Sequence, residues 1–266
     1  MNMNITIGQY YPVDSIIHRL DSRVKLMSTI VYVTMLFIAS SFWSYALTVL
    51  ALGFVIKLSH VPPVYLLKGL RAIFFIIIFT VVLNMFFTPG ETELFKLGAV
   101  RLTLEGLTVA VRMCCRLVLL ITGSSMLTLT TSPIQLTDAI EYLLKPFKRI
   151  GVPAHEIAMM MTIALRFIPT LFEEMNKIMK AQMARGADFD TGGLIKKAKS
   201  LIPLLVPLFV SSIRRADELA MAMEARCYRG DVNRTRMKVM RIARRDCWAI
   251  VCVLGFCIAV AFIAVF

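Results

Sequence analysis

Four long stretches of this chain carry no charged side chain, and they limit what it can fold into. Met27 to Ile56 is 30 residues, Ala72 to Gly90 is 19, Leu117 to Thr137 is 21 and Cys247 to Phe266 is 20. About 20 apolar residues cross a bilayer as one helix. The chain is also 58% hydrophobic and 18% charged, whereas a soluble domain is about 45–50% apolar and about 25% charged. A soluble globular enzyme and a disordered tail are both excluded. The pattern predicts an all-α polytopic membrane protein with about five transmembrane helices and a cytoplasmic domain of long helices.

The first run is too long for one span. Ser40, Ser41 and Ser44 interrupt its middle, which predicts a tight hairpin of two short helices. Charge agrees: Arg19, Arg23 and Lys25 precede the run, and Lys57, Lys68 and Arg71 follow it. Two spans put both basic clusters on the cytoplasmic side, as the positive-inside rule requires. The third span then crosses outward over about 72–88. An external loop from Pro89 to Arg101 carries Glu91, Glu93 and Lys96, and the fourth span returns by about residue 131. Residues 132–246 hold 20 of the 30 Lys and Arg and 12 of the 17 Asp and Glu, so they belong in the cytoplasm. The last span runs outward. The expected organisation is a four-span membrane domain (1–131), a cytoplasmic or membrane-surface domain (132–246) and a C-terminal transmembrane helix (247–266), with the N-terminus inside and the C-terminus outside. Glu105, Arg112 and Arg116 share one face of the fourth helix by their spacing. They either face protein or water within the membrane or lie near its surface.

The cytoplasmic segment has helix punctuation. Thr131-Ser132-Pro133 is a start signal, and Ile134 to Arg149 reads as a short amphipathic helix stopped by Gly151-Val152-Pro153. A longer helix runs from near Pro153 to Ala184, with a kink or break expected at Pro169. A loop with Asp188, Asp190, Gly192 and Gly193 follows. A third helical stretch spans about 194–226, interrupted by Pro203 and Pro207. Arg234 to Arg245 form a basic approach to the last span. The two long helices end alike, in Ala184-Arg185-Gly186 and Ala225-Arg226-Cys227, with the arginines 41 residues apart. A cation is favoured beside the orphan carbonyls of any helix C-terminus. Guanidinium also binds carboxylate in a two-pronged way, and small neighbours let such a tip enter a groove on another protein. The methionines at 159–161, 175, 179, 183, 221 and 223 read either as core or as an adaptable binding surface.

These motifs resemble, in order, those of the T component of energy-coupling factor transporters, bacterial vitamin and metal uptake systems. The resemblance is carried by Gly8-Gln9-Tyr10, by His18-Arg19-Leu20-Asp21-Ser22-Arg23-Val24-Lys25-Leu26 and by Leu129-Thr130-Thr131-Ser132-Pro133. It continues through Ala164-Leu165-Arg166-Phe167-Ile168-Pro169, Lys180-Ala181-Gln182, Ala184-Arg185-Gly186 and Glu224-Ala225-Arg226. The His18 region most resembles the type shared among several substrate-binding subunits. The resemblance implies a non-catalytic scaffold in the bacterial cytoplasmic membrane. It would link two cytoplasmic ABC-type ATPase subunits to a small membrane substrate-binding subunit through coupling helices. Ala184, Arg185, Gly186, Ala225, Arg226 and Cys227 would dock on the ATPases. The family has Ala-Arg-Gly at both ends, so Cys227 leaves the second helix stop in question.

No catalytic residue, cofactor or metal ligand is assigned. The chain has no G-x-x-x-x-G-K-[ST], H-E-x-x-H or G-x-S-x-G, and His18, His60 and His155 are scattered. Asp188 and Asp190 read as a solvated turn. An integral-membrane enzyme or a self-sufficient carrier is the alternative. The carrier would favour polar residues in the middle of several spans, and only the fourth offers any. The six cysteines lack C-x-x-C spacing and read as small hydrophobes. The N-terminus lacks the basic and apolar regions of a cleaved signal. The basic excess sits beside apolar spans, where topology and anionic lipid account for it without nucleic acid.

Overall fold

A computed structural model describes residues 10–39, 41–88, 93–97, 100–187, 189, 193–230 and 242–265. Eight α-helices account for most of them: α1 (Ser22–Ile38), α2 (Phe42–Ser59), α3 (Pro63–Phe87), α4 (Leu104–Thr130), α5 (Pro133–Leu144), α6 (Ala154–Ala184), α7 (Leu194–Ala225) and α8 (Arg244–Val265). An antiparallel hairpin, β1 (Glu93–Leu97) with β2 (Val100–Thr103), joins α3 to α4 where a plain loop is expected from sequence. The chain divides into two compact units, residues 1–139 with 238–266, and residues 140–237. Gly8 and Gln9, Glu91, Asp188, Asp190, Gly192 and the basic run from Arg234 to Arg241 lie outside the described residues.

The first unit is a bundle of α1–α4 and α8. A break between two helices falls where the serines predict it: α1 ends at Ile38 and α2 begins at Phe42, with Ser40 outside the described residues. Contacts fix the directions. Lys25 of α1 meets Thr130 of α4, while Tyr32 further along α1 meets Leu119, so α1 and α4 are antiparallel. Asp21 meets Asp246 and Tyr32 stacks on Phe256, so α1 and α8 run the same way. Gly106 at the start of α4 lies under Asn84 and Met85 near the end of α3, which makes α3 and α4 antiparallel. Helices α1, α3 and α8 therefore run one way and α4 the other.

Length and composition alone identify fewer spans than the expected five. Among the described residues, three helices are long and apolar enough to cross a membrane, α2, α6 and α8, or four if α3, bent by 60° near Arg71–Ile73, is one span. Helix α1, at 17 residues, is one residue shorter than α2 and carries Arg23 and Lys25 in its first turn. Helix α4 carries Arg112, Arg116 and a run of Thr, Gly and Ser residues between 122 and 130. Large apolar side chains cover the outer faces of the bundle, among them Phe42 and Phe75, about four-fifths exposed. In a membrane protein these faces have lipid as their solvent. Leu36, Leu52, Leu119, Met126, Leu129 and Val260 form the interior.

Arg116 faces protein. Its Nε donates to Tyr45 Oη at 3.2 Å, and its Nη2 donates to the carbonyl of Ala39, the C-cap of α1, at 3.2 Å. The guanidinium also lies 5.7 Å from the Phe37 ring centroid. Arg112 is exposed. Gly123 of α4 makes room for α1, since a Cβ there would stand 2.3 Å from Tyr32 Cε1. The Tyr32 hydroxyl donates to Leu119 O at 3.0 Å.

At the other end of the bundle, two motif segments noted in the sequence meet. Lys25, 7% exposed, donates from Nζ to His18 O at 3.0 Å and to Thr130 O at 2.8 Å. The Tyr11 amide donates to Leu129 O at 3.0 Å. The Leu129 and Thr130 carbonyls at the end of α4 are thereby satisfied by Tyr11, ahead of α1, and by Lys25 in its first turn. Asp21 caps α1 by accepting from the Arg23 amide, and its own amide donates to Asp246 Oδ1 at 2.9 Å. Asp246, 2% exposed, accepts from the Ala243 amide through Oδ2 at 2.7 Å. Three helix ends are thus tied in one knot.

His18 belongs to this knot. Its Nε2 lies 3.0 Å from Tyr11 O, which can only accept, so Nε2 carries the proton and Nδ1 accepts from Ser15 Oγ at 2.7 Å. Burial, with the Lys25 charge adding to it, holds the imidazole below its ordinary pKa of 6.5 against its backbone hydrogen bonds. A lowered histidine pKa favours the neutral folded state. Its contribution is full above the unfolded value and is lost as pH falls through the folded one. The melting temperature of the purified protein should therefore drop between pH 7.5 and 5.5, and His18→Asn should flatten that part of the profile. The check is thermal unfolding in detergent across this range.

Candidate functional site

The second unit is built around α6 and α7. Before them, α5 begins with a reciprocal cap: Gln135 N donates to Ser132 Oγ at 3.4 Å, and Ser132 N donates to Gln135 Oε1 at 3.3 Å. This is a capping box. Helix α5 ends at Leu144, before the expected Arg149. Pro146 lacks an N–H and disfavours helical geometry in the residue ahead of it, so Lys145–Ile150 tightens into a 3₁₀ turn closed by Gly151. His155 Nδ1, in the first turn of α6, lies 3.1 Å from Glu141 Oε1.

Neither helix breaks at its prolines. Helix α6 runs 31 residues through Pro169, and α7 runs 32 through Pro203 and Pro207. A helical proline leaves the carbonyl four residues earlier without its usual donor. For Pro207 that carbonyl belongs to Pro203, and Gln182 of α6 donates to it from Nε2 at 3.4 Å. A side chain from the neighbouring helix supplies the bond that the proline removes.

Glu174 of α6 accepts from Arg215 of α7, at 3.2 Å from Nε and 3.0 Å from Nη2, and also from Ser211 Oγ. Glu174 pairs with 211 and 215, and 182 with 203, so the two helices pack antiparallel. Glu174 and Arg215 are 41 residues apart, the interval that separates Arg185 from Arg226. Equivalent positions of the two helices therefore face each other at this clamp. Each arginine tip lies eleven residues beyond it, about 16 Å along its own helix, and the tips extend in opposite directions.

Both tips end in the same backbone motif. Arg185 is the C-cap of α6; Gly186 N donates to Met183 O and Ala187 N to Gln182 O, each at 3.0 Å, with Gly186 at φ +87°. Arg226 is the C-cap of α7; Cys227 N donates to Glu224 O at 2.8 Å and Tyr228 N to Met223 O at 3.0 Å, with Cys227 at φ 56°. These are two Schellman stops. The question left by Cys227 is answered: the helix stops there in the glycine geometry, at the strain cost of a side chain in the left-handed region. Ala184, Arg185, Gly186, Ala225, Arg226 and Cys227 are all exposed. The methionines are not core, since none of those at 159–161, 175, 179, 183, 221 and 223 is buried in this chain. Glu174, Ser211, Arg215 and the contact between Gln182 and Pro203 were not foreseen from sequence. The shared 41-residue interval was the signal available for the ion pair.

A lipid-facing helical bundle with a second unit of two clamped, arginine-ended helices defines a multispan membrane component whose exposed polar features point to partners. The profile of the cobalt transport protein family, CbiQ, matches residues 14–238. The chain is 58% identical over 255 residues to the energy-coupling factor transporter transmembrane protein EcfT of Clostridium kluyveri, covering 96% of this chain and 94% of that one. It is 56% identical over 242 residues to EcfT of Thermosediminibacter oceani, covering 91% of each. The identity to EcfT of Acidaminococcus fermentans is 50% over 266 residues, 99% of this chain and 98% of the relative. The chain belongs to the CbiQ/EcfT family, the bacterial transmembrane components of energy-coupling factor transporters.

Two outcomes follow from the helix pair. Gln182→Leu should destabilise the packing of α6 on α7 by about 1 kcal/mol. Its effect should vanish in a Pro207→Ala background, where the restored N–H supplies the bond, and a double-mutant cycle by thermal unfolding checks this. Cys227→Gly should relieve about 1 kcal/mol of left-handed strain, read as slower amide exchange in the last turn of α7.

Proposed function

We propose that this chain is the non-catalytic transmembrane scaffold of an ATP-driven importer of a vitamin or other micronutrient. It transmits motion from two cytoplasmic ABC-type ATPase subunits to a small membrane substrate-binding subunit, one dedicated or several interchangeable. The observation that carries this reading is the pair of matched, exposed arginine tips at equal distances from a central clamp. Ala184-Arg185-Gly186 seats in a groove of one ATPase and Ala225-Arg226-Cys227 in a groove of the other. Guanidinium remains charged at any working pH and binds carboxylate through two parallel bonds, and the small residues beside it admit the helix end. Residues 1–131 and 247–266 form the membrane body, with the N-terminus inside and the C-terminus outside. Residues 132–246 form the cytoplasmic coupling domain.

ATP closes the ATPase pair and moves the two seats relative to each other. Rigid helices carry that displacement through the Glu174–Arg215 clamp to their apolar upstream parts, around Ile157–Leu165 and Leu201–Phe209. There it reorients the substrate-binding subunit, a switch biased by differential ATP binding.

The test is the double variant Arg185→Ala with Arg226→Ala, expressed with its partners. The expected result is loss of ATPase co-purification and of vitamin uptake, with the protein still at the membrane by immunoblot. Each single substitution should weaken docking by about 2–5 kcal/mol. Normal assembly and full uptake in the double variant would refute the reading, as would solute transport by the chain reconstituted alone.

A further inference from the structure

The 3₁₀ turn between α5 and α6 is not absorbed by the coupling role. Its sequence is Lys145-Pro146-Phe147-Lys148-Arg149-Ile150, and all six residues are exposed. Ile150 is 79% exposed and Phe147 50%. Side chains three apart eclipse in a 3₁₀ turn, so the segment has three edges. Phe147 and Ile150 form an apolar edge, Lys145 and Lys148 a basic one, and Arg149 stands with Pro146 on the third. The turn is held in shape by its proline and by the Gly151 amide, which donates to Lys148 O and Phe147 O, with Gly151 at φ +89°.

We propose that this turn is a binding site for anionic phospholipid headgroups of the cytoplasmic leaflet. Phe147 and Ile150 enter the boundary between headgroups and acyl chains, and Lys145, Lys148 and Arg149 meet the phosphates. The charge argues for lipid: the turn carries three cations and no acid, and the cytoplasmic leaflet attracts clustered Lys and Arg. The apolar edge argues for insertion, because a basic, apolar-edged segment lies in a membrane interface. Among the described elements, only α5, with 12 residues, stands between the last residue of α4 and the turn. Pinning here anchors the root of α6 at the membrane and leaves its arginine tip free. The inference goes beyond the coupling role and needs only the cytoplasmic placement of residues 132–246.

The experiment uses the whole chain in nanodiscs of phosphatidylcholine alone or with phosphatidylglycerol, read by amide hydrogen exchange. Each cation near an anionic surface strengthens association about fivefold, so Lys145 and Arg149 alone give about twenty-fivefold, Lys148 having a partner within the chain. Residues 145–151 should exchange at least about tenfold more slowly with the anionic lipid, and added salt should reverse the effect. The combined Lys145→Gln, Lys148→Gln and Arg149→Gln variant should lose the lipid dependence, with α6 amides unchanged as the control for folding. Equal exchange of the unmodified chain in the two lipids overturns the proposal, and so does slowing that survives the triple substitution. Slowing that appears only when partner subunits are added overturns it in favour of a protein-docking role.

Discussion

A helix releases its first N–H groups and its last carbonyls, and where water is excluded each needs another partner. Much of the specific architecture here is an answer to that constraint. The carbonyl at the end of α1 receives Arg116. Those at the end of α4 receive Lys25 and the Tyr11 amide. The start of α8 is tied by Asp246, which also takes the Asp21 amide. Even the proline in α7 is handled this way, with Gln182 reaching across from α6. Arg116 and Lys25 are costly residues for an apolar medium. Each is placed at a helix C-terminus, Arg116 at that of α1 and Lys25 at that of α4, where unpaired carbonyls favour a cation.

The same logic separates the membrane body from the helix pair. In the bundle, Arg116 and Lys25 turn inward to backbone, and large apolar side chains such as Phe42 and Phe75 face out. In the pair, the caps at the tips are satisfied by the backbone alone, through the two Schellman stops, so neither arginine is needed by its own helix end. Among the described residues the Arg185 and Arg226 side chains make no hydrogen bond or ion pair. Removing either should cost the fold little, which is what makes the substitutions informative about partners.

What the sequence revealed was local. Serines within a charge-free run announced the turn between α1 and α2. Ser132 with Pro133 announced α5, and Ala-Arg followed by a small residue announced the helix ends. What it concealed depended on a neighbour. Pro207 reads as an interruption because single-helix rules cannot include a donor from another helix, and Gln182 is such a donor for the carbonyl that Pro207 frees. The fourth helix left its arginines between two readings, and the contact that turns Arg116 to protein comes from the Ala39 carbonyl, 77 residues away in the chain. The clamp was half visible: its 41-residue interval was on the page, but the contact needed the antiparallel packing of α6 and α7. The span count was hardest to read, since α1 is short and α4 is polar for reasons internal to the bundle.

Gly123 and Tyr32 impose a last constraint. The Tyr32 ring lies where a Cβ of residue 123 would be, its hydroxyl is fastened to the α4 backbone, and its face stacks on Phe256 of α8. Slipping α1 by one turn would drive that ring into a neighbour that has a side chain and would free the Leu119 carbonyl. Ratchet-like sliding of α1 along α4 is therefore opposed by the Tyr32 ring itself.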